Sequence, residues 1–147
     1  QPQFSRGEIG KSYLARIQGH PAADTFECRA AISDDPGRLG TRSIDEAGGL
    51  PSHTRFRVLR RHPDGTALIE ALPQTGRTHQ IRLHLQHLGH PIVGDNTYDP
   101  AAATGATFTQ RPDAQPLCLH SHRLTLSHPI TQERLTFSAP PPPWAAE

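Results

Sequence analysis

The feature that most restricts the fold is a strand–turn–strand pattern in the middle of the chain. Residues 54–61 alternate between apolar and basic side chains, so Phe56 and Arg57 point to opposite faces. A Pro-Asp-Gly run follows and favours a turn, after which residues 66–72 return as a second apolar strand. This pattern predicts a β-hairpin with one buried face and one basic face.

The hydrophobic period changes directly after this hairpin. Over residues 74–88, apolar side chains recur at helical spacing instead of alternating. Thr75 or Thr78 can cap the start of a helix, and Gly89 can end it because glycine tolerates the left-handed conformation found there. The sequence therefore predicts that a helix packs next to the hairpin.

The remaining periodic segments complete an α+β domain. Further strands are predicted over residues 11–17, 25–32, 117–126 and 134–138. Two stretches without periodicity, residues 33–51 and 99–116, are interpreted as loops. The proline-rich end is interpreted as an extended tail whose Trp144 packs against the domain. We expect a mixed, mostly antiparallel sheet with one or two helices in a single domain, residues 1–147.

Composition excludes some classes of protein and leaves others open. Lys11 is the sole lysine, and arginine makes up the rest of the 15 Lys and Arg residues. Arginine suits phosphate and base recognition, so the composition permits RNA binding without showing it. No apolar run reaches the roughly 18 residues that span a bilayer. Cys28 and Cys118 are interpreted as buried, reduced thiols, and the sequence predicts a cytoplasmic protein without a membrane partner.

The densest polar run stands at the start of the predicted helix. Residues 75–84 read TGRTHQIRLH, and residues 89–95 continue as GHPIVGD, with Tyr98 shortly after. Arg77 and Arg82 fall in the first turns, where outward-pointing backbone N–H groups favour anions. This arrangement is compatible with a phosphate or carboxylate site, or with an ordinary solvated helix face.

This run resembles the signature of the RluA-type RNA pseudouridine synthases, which reads like TGRTHQIR-H-L…GHPI-GD--Y. The likeness extends to most of the chain. Residues 11–15, KSYLA, look like the family's K-x-Y-x-A strand, and residues 51–59 resemble the segment that leads into its hairpin. The end of the chain, from residue 119 to residue 140, is similar to its closing strands.

The resemblance implies that the parent protein isomerises uridine to pseudouridine in ribosomal or transfer RNA without a cofactor. It implies that Tyr13 stacks on the target uracil and accepts the C5 proton, and that Arg82 pairs with the nucleophilic aspartate. Leu117 or Leu119 would line the apolar side of the base pocket. The other substrate-binding residues expected are Arg77, His79, Gln80, Arg55 and Arg57.

The chain departs from the family pattern at the nucleophile. The family's aspartate lies in an H-R-L-D-x-x-[ST]-[ST]-G motif upstream of the tyrosine strand, and this sequence contains no such motif. Asp95 belongs to the GHPIVGD run, where a turn-forming role is expected. We therefore expect the chain to be the C-terminal portion of a catalytic domain, inactive alone, whose N-terminal part supplies the aspartate and some of the core.

Two rival interpretations remain. In the first, the chain is a non-catalytic RNA-binding module that uses the hairpin arginines, and its affinity then falls steeply with salt. In the second, it is a metal protein that uses the closely spaced histidines 79, 84, 87 and 90, and it then carries stoichiometric zinc. No carboxylate or cysteine completes this histidine cluster before Asp95, so we expect no metal site.

Overall fold

The computed structural model describes residues 9–34, 41–98, 117–127 and 134–146. They form a six-stranded sheet with the order β2-β3-β4-β1-β5-β6, in which every described pair is antiparallel. The strands are β1 (Ile9–Gln18), β2 (Thr25–Cys28), β3 (Thr54–Arg61), β4 (Thr66–Pro73), β5 (Leu119–Ser127) and β6 (Arg134–Ser138). The helices are α1 (Gln80–His87) and α2 (Pro143–Ala146). The α+β class predicted from the sequence is confirmed.

Strand β1 occupies the middle of the sheet and is hydrogen-bonded on both sides. Tyr13 lies opposite Ala71 of β4 and Ser121 of β5. The pairing with β5 shifts between Ser12, opposite Arg123, and Tyr13, so the residue between the two β5 partners has no counterpart. Such a bulge bends the strand and redirects neighbouring side chains. It lies directly beside the tyrosine.

The main core lies between one face of the sheet and helix α1. Large side chains from three strands and the helix are fully or almost fully buried there, because the alternation in β3 and β4 and the helical period of α1 direct their apolar faces toward each other. The most enclosed members include Ile17, Phe56, Ile69, Leu85 and Ile92.

The other face of the sheet has a smaller apolar cluster. Leu14 and Leu68 pack there against Ala145, and Trp144 joins them. The packing predicted for Trp144 is therefore observed, but the extended tail is wrong over its last residues, which form α2. A helical turn directs both Trp144 and Ala145 onto the sheet, which an extended segment with its alternating side chains would not do.

The hairpin was predicted with the correct strand β3, and its turn contains Gly65 at φ 90°. Asp64 closes the turn by accepting hydrogen bonds from the Thr66 N–H (3.0 Å) and hydroxyl (2.6 Å).

The strand predicted over residues 25–32 ends earlier, at Cys28, and Ile32 makes only isolated bridges with Ile44 and Leu50. Of the predicted loops, residues 35–40 and 99–116 lie outside the described residues, as does the turn at 128–129.

Helix α1 begins later than predicted. It starts at Gln80, and the residue before it, His79, has φ 57° and ψ 25°, a left-handed conformation, with no side-chain cap. The predicted cap at Thr75 or Thr78 is wrong because the Thr75 hydroxyl is used elsewhere: it donates to Gln80 Oε1 at 2.6 Å and accepts from the His53 N–H at 3.0 Å. The predicted end is confirmed, since Gly89 follows the helix at φ 87°.

Candidate active site

A cavity of about 360 Å³ opens where β1, the end of β4, the 75–79 turn and the segment before β5 meet. Seven of the nine site residues predicted from the sequence line it: Tyr13, Arg77, His79, Gln80, Arg82, Leu117 and Leu119. They come from parts of the chain that are far apart in sequence, and the fold brings them together. Its lining also includes Lys11, Pro73, Thr75, Gly76 and Ile81.

Lys11 is the charged residue among the five cavity residues that the sequence-based site prediction omitted. It precedes Tyr13 by two positions in the same strand, so both side chains point to the same face. The alternation of side chains along β1 was therefore sufficient to predict that Lys11 lies on the same face as Tyr13. The family resemblance drew attention to the tyrosine and not to the cation beside it.

The two hairpin arginines do not join this cavity. Arg55 and Arg57 line a separate concave surface of about 440 Å³ around β2 and β3. Arg57 pairs with Glu70 at 3.0 Å, and Arg55 lies 3.9 Å from Glu27. Both side chains are more than half exposed, so these pairs contribute little to stability.

Tyr13 is one of the residues that line the cavity. The side chain is half-buried and packs against the main core, and its hydroxyl has no hydrogen-bond partner among the described residues. Leu117 and Leu119 supply an apolar wall. Cys118 between them fixes this wall, because its N–H donates to the Val93 carbonyl at 2.9 Å.

Arg82 is held at the cavity by a buried carboxylate. Its Nε and Nη2 donate to the two oxygens of Asp95 at 3.0 and 2.8 Å. Asp95 is only 2% exposed. The hydrogen bonds that Arg82 donates to Asp95 raise the pKa of the Arg82 guanidinium above its ordinary value, so Arg82 stays charged. Within the described residues the partner of Arg82 is thus Asp95.

Asp95 also forms the turn that was expected of it. Its Oδ1 accepts hydrogen bonds from the N–H groups of Thr97 (3.1 Å) and Tyr98 (3.0 Å). This is the local side-chain-to-backbone bonding by which aspartate stabilises turns. The same carboxylate therefore fixes both a cavity arginine and the loop that carries Tyr98.

Tyr98 connects Arg82 with His79. The Arg82 guanidinium carbon lies 4.9 Å from the centre of the Tyr98 ring, within cation–π range. The Tyr98 hydroxyl hydrogen-bonds His79 Nδ1 at 2.7 Å and accepts the Arg42 N–H at 3.0 Å. Burial, followed by the charge of Arg82, lowers the pKa of His79, which favours a neutral imidazole at the cavity.

Gln80 lines the cavity but has its side-chain amide fully occupied. Its Oε1 accepts from the Thr75 hydroxyl and the Arg77 N–H, and its Nε2 donates to the His53 carbonyl and the Thr54 hydroxyl. The four bonds measure 2.6 to 3.1 Å. This geometry ties the 75–79 turn to β3, and it leaves no polar group of Gln80 for a ligand.

The hydrogen-bond network continues into the core through His84, which is fully buried. His84 Nε2 lies 2.8 Å from the Ala30 carbonyl, which can only accept, so Nε2 carries the proton. Nδ1 is then the acceptor for the Thr54 hydroxyl at 2.8 Å. Burial lowers the pKa of His84, in agreement with a neutral ring.

The comparisons with known proteins identify the family of the chain. A family model described as RNA pseudouridylate synthase matches residues 1–87, more than half of the chain. The chain belongs to the RNA pseudouridylate synthase family. The match contains Tyr13, the hairpin and the TGRTHQIR run, so it covers most of the side chains around the cavity.

Curated relatives extend the similarity to nearly the whole chain. The Dual-specificity RNA pseudouridine synthase RluA of Pasteurella multocida is 40% identical over 95% of this chain and 60% of its own length. The protein of the same name from Escherichia coli K12 is 38% identical over 94% of this chain and 60% of its own length. The Ribosomal large subunit pseudouridine synthase C of Haemophilus ducreyi is 37% identical over 94% and 42%. The chain thus spans at most about three fifths of these relatives.

Two solved structures share the fold. The Human RNA Pseudouridylate Synthase Domain Containing 1 structure superposes with a TM-score of 0.71 at 30% identity, over 95% of this chain and 57% of that one. The Human RNA Pseudouridylate Synthase Domain Containing 4 structure gives the same TM-score of 0.71 at 22% identity, over 99% and 63%. The second likeness concerns the fold alone.

Neither a metal-binding cluster nor a membrane-spanning helix is found in the described ranges. They contain no group of three or more side chains arranged to hold a metal ion. The histidines considered as ligands have different partners there: His79 contacts Tyr98, His84 contacts Thr54, and His90 contacts the Gln18 carbonyl. In the same ranges, no helix is long and apolar enough to cross a membrane.

Proposed function

We propose that this chain forms the uridine-binding part of an active site that converts uridine to pseudouridine in RNA. The observation that carries the proposal is the cavity that Tyr13 lines together with Arg82 and the apolar wall of Leu117 and Leu119. Among the described residues, the Tyr13 hydroxyl has no hydrogen-bond partner. An aromatic ring and an apolar wall suit a base that has been flipped out of its stack. Arg82 suits a carboxylate.

The proposed reaction rearranges bonds without gaining or losing atoms. The bond between C1′ and N1 of uridine breaks, the uracil rotates, and C1′ joins C5. The C5 proton leaves to a base, for which the Tyr13 hydroxyl is the candidate, and N1 takes up a proton. No oxidant, reductant or cofactor is needed for this balance. Exclusion of water by the apolar wall would protect the detached base.

The nucleophile would come from outside these 147 residues. No aspartate lines the cavity within the described ranges, and the buried Asp95 is already bonded to Arg82. None of the aspartates lies in an H-R-L-D motif. We therefore propose that the chain is one portion of a catalytic domain, that it is inactive alone, and that the polypeptide to which it belongs supplies the aspartate.

The RNA target is proposed from the relatives. Their names include a dual-specificity RNA enzyme and a ribosomal large subunit enzyme, so a ribosomal or transfer RNA is the substrate class that we propose. An RNA substrate, together with two free and buried cysteines, supports a cytoplasmic location.

Tritium release from RNA labelled at C5 of uridine tests the proposal. The complete gene product should release tritium, and the 147-residue chain alone should not. In the complete product, Tyr13→Phe keeps the stacking ring and removes the hydroxyl. We expect it to bind RNA with unchanged affinity and to lose at least about 100-fold in rate, the lower range for a general base. Ala22→Ser, at an exposed loop position, is the control and should match the wild type.

Three outcomes contradict the proposal. Release by the 147-residue chain alone would remove the need for an external aspartate. Full activity of Tyr13→Phe would remove the tyrosine from the reaction. Salt-sensitive RNA binding without any release by the complete product would instead support a non-catalytic RNA-binding module.

A further inference from the structure

We propose that Asp95 is a positioning residue of this cavity. It holds the Nε–Nη2 edge of Arg82 so that the N–H groups on Nη1 face a second carboxylate entering the cavity. The consequence for reaction rate rests on the proposed function, whereas the geometry does not. Asp95 itself is absent from the cavity lining and 2% exposed, so it acts on a ligand only through other residues.

The hydrogen bonds of Arg82 divide the guanidinium into two edges. Nε and Nη2 are both bonded to Asp95, and Nη1 donates no hydrogen bond among the described residues. A planar guanidinium held by two parallel bonds has one orientation, whereas a single bond would let it rotate. With 17% of its side chain exposed, Arg82 reaches the cavity while its partner stays below the surface.

The turn that follows Asp95 extends this positioning to His79. Because Asp95 accepts the Tyr98 N–H, it fixes the ring that packs against Arg82 and bonds His79. His79 has a positive φ of 57°, a conformation that non-glycine residues adopt only when their surroundings enforce it. The Tyr98 hydroxyl is a contact that enforces it. One buried carboxylate thus supports two polar side chains of the cavity lining.

Asp95→Asn in the complete gene product is the decisive variant. The amide keeps an oxygen for the N–H groups of Thr97 and Tyr98, but it turns an N–H donor toward the Nε donor of Arg82. The turn should therefore persist while Arg82 loses its fixed orientation. We expect kcat to fall by about 10- to 100-fold, as misplacement of a catalytic group by about 1 Å does. KM should change by less than about threefold, because Asp95 does not touch the substrate.

Asp64→Asn is the matched control. Asp64 is also a turn carboxylate that accepts a backbone N–H two residues later and pairs with an arginine, Arg16, at 2.7 Å. It lies outside the cavity lining. This variant should leave kcat and KM at their wild-type values.

Two further measurements separate positioning from simple stabilisation. Proton exchange at the Arg82 Nε–H, followed by nitrogen NMR, should accelerate about tenfold or more in Asp95→Asn and stay unchanged in Asp64→Asn. In a double-mutant cycle, Asp95→Asn should add little to the rate loss of Arg82→Lys, since both act through one guanidinium.

The inference is overturned if the Arg82 exchange rate is the same in the Asp95 variant and the wild type. It is also overturned if the losses in the double variant multiply. If the wild-type gene product releases no tritium, the proposed function fails, but the exchange measurement still decides whether Asp95 positions Arg82.

Discussion

Gln80 lines the cavity, and its side-chain amide is hydrogen-bonded to the protein itself. The family resemblance led us to expect a substrate contact, yet its amide makes all of its bonds to the 75–79 turn and to β3. The sequence placed Gln80 near the site because the motif is contiguous. It could not show these bonds, because two of the partners, His53 and Thr54, precede it by a whole hairpin. The residue's role depends on tertiary contacts.

We predict that Gln80→Ala destabilises the protein by about 2–4 kcal/mol, because it leaves buried donors and acceptors without partners. Urea unfolding followed by circular dichroism measures this loss. Gln86→Ala, on the same helix and half-exposed, is the control and should change stability by less than about 0.5 kcal/mol. A stable Gln80→Ala protein with a raised KM would instead identify a substrate contact.

The local sequence pattern predicted some of the strands and helices correctly, whereas others were determined by tertiary contacts. The β3–β4 hairpin follows from alternation and a Pro-Asp-Gly turn, so its strand β3 was predicted to the residue. The start of α1 was missed because His79 adopts a left-handed conformation that propensity does not favour. Helix α2 was missed because four residues carry no periodic signal; it is held by packing against Leu14 and Leu68.

We predict that Trp144→Ala lowers the free energy of unfolding by about 2–4 kcal/mol, since it removes a large side chain from the apolar cluster on the outer face of the sheet. Thermal unfolding measures the change. Pro141→Ala, exposed in the same tail, should leave the melting temperature within about 2 °C. Equal melting temperatures for Trp144→Ala and the wild type would mean that α2 does not dock on the sheet.

For the molecule as a whole, seven of the residues that line the cavity were predictable, whereas most of the contacts that support them were not. Tyr13 and Arg82 lie in recognisable motifs, and the sheet and α1 bring them together as expected. The buried groups behind them, such as His84 and Asp95, depend on geometry that arises only when β3, α1 and the later turns are packed. The buried His84 also connects the stability of the fold to pH.

We predict that the protein loses stability as pH falls below about 6.5. Burial lowers the pKa of both His84 and His79 in the folded state below the ordinary histidine value of 6.5. The unfolded chain then binds more protons between the folded and unfolded pKa values, so stability rises with pH in that window. Urea titrations from pH 5 to pH 8 measure the slope, and His84→Gln should make it shallower. A slope unaffected by this substitution would exclude His84 as a cause.

Strand β1 lies inside the sheet, so the part of the cavity wall on β1 is more constrained than the part formed by a turn. Tyr13 lies on a strand that is bonded on both sides, and any shift of its backbone would break pairs with β4 and β5 together. The 75–79 turn, which also lines the cavity, is fastened by side-chain hydrogen bonds instead of a sheet. Substitutions in this turn can therefore reshape that part of the cavity while the Tyr13 backbone keeps its position.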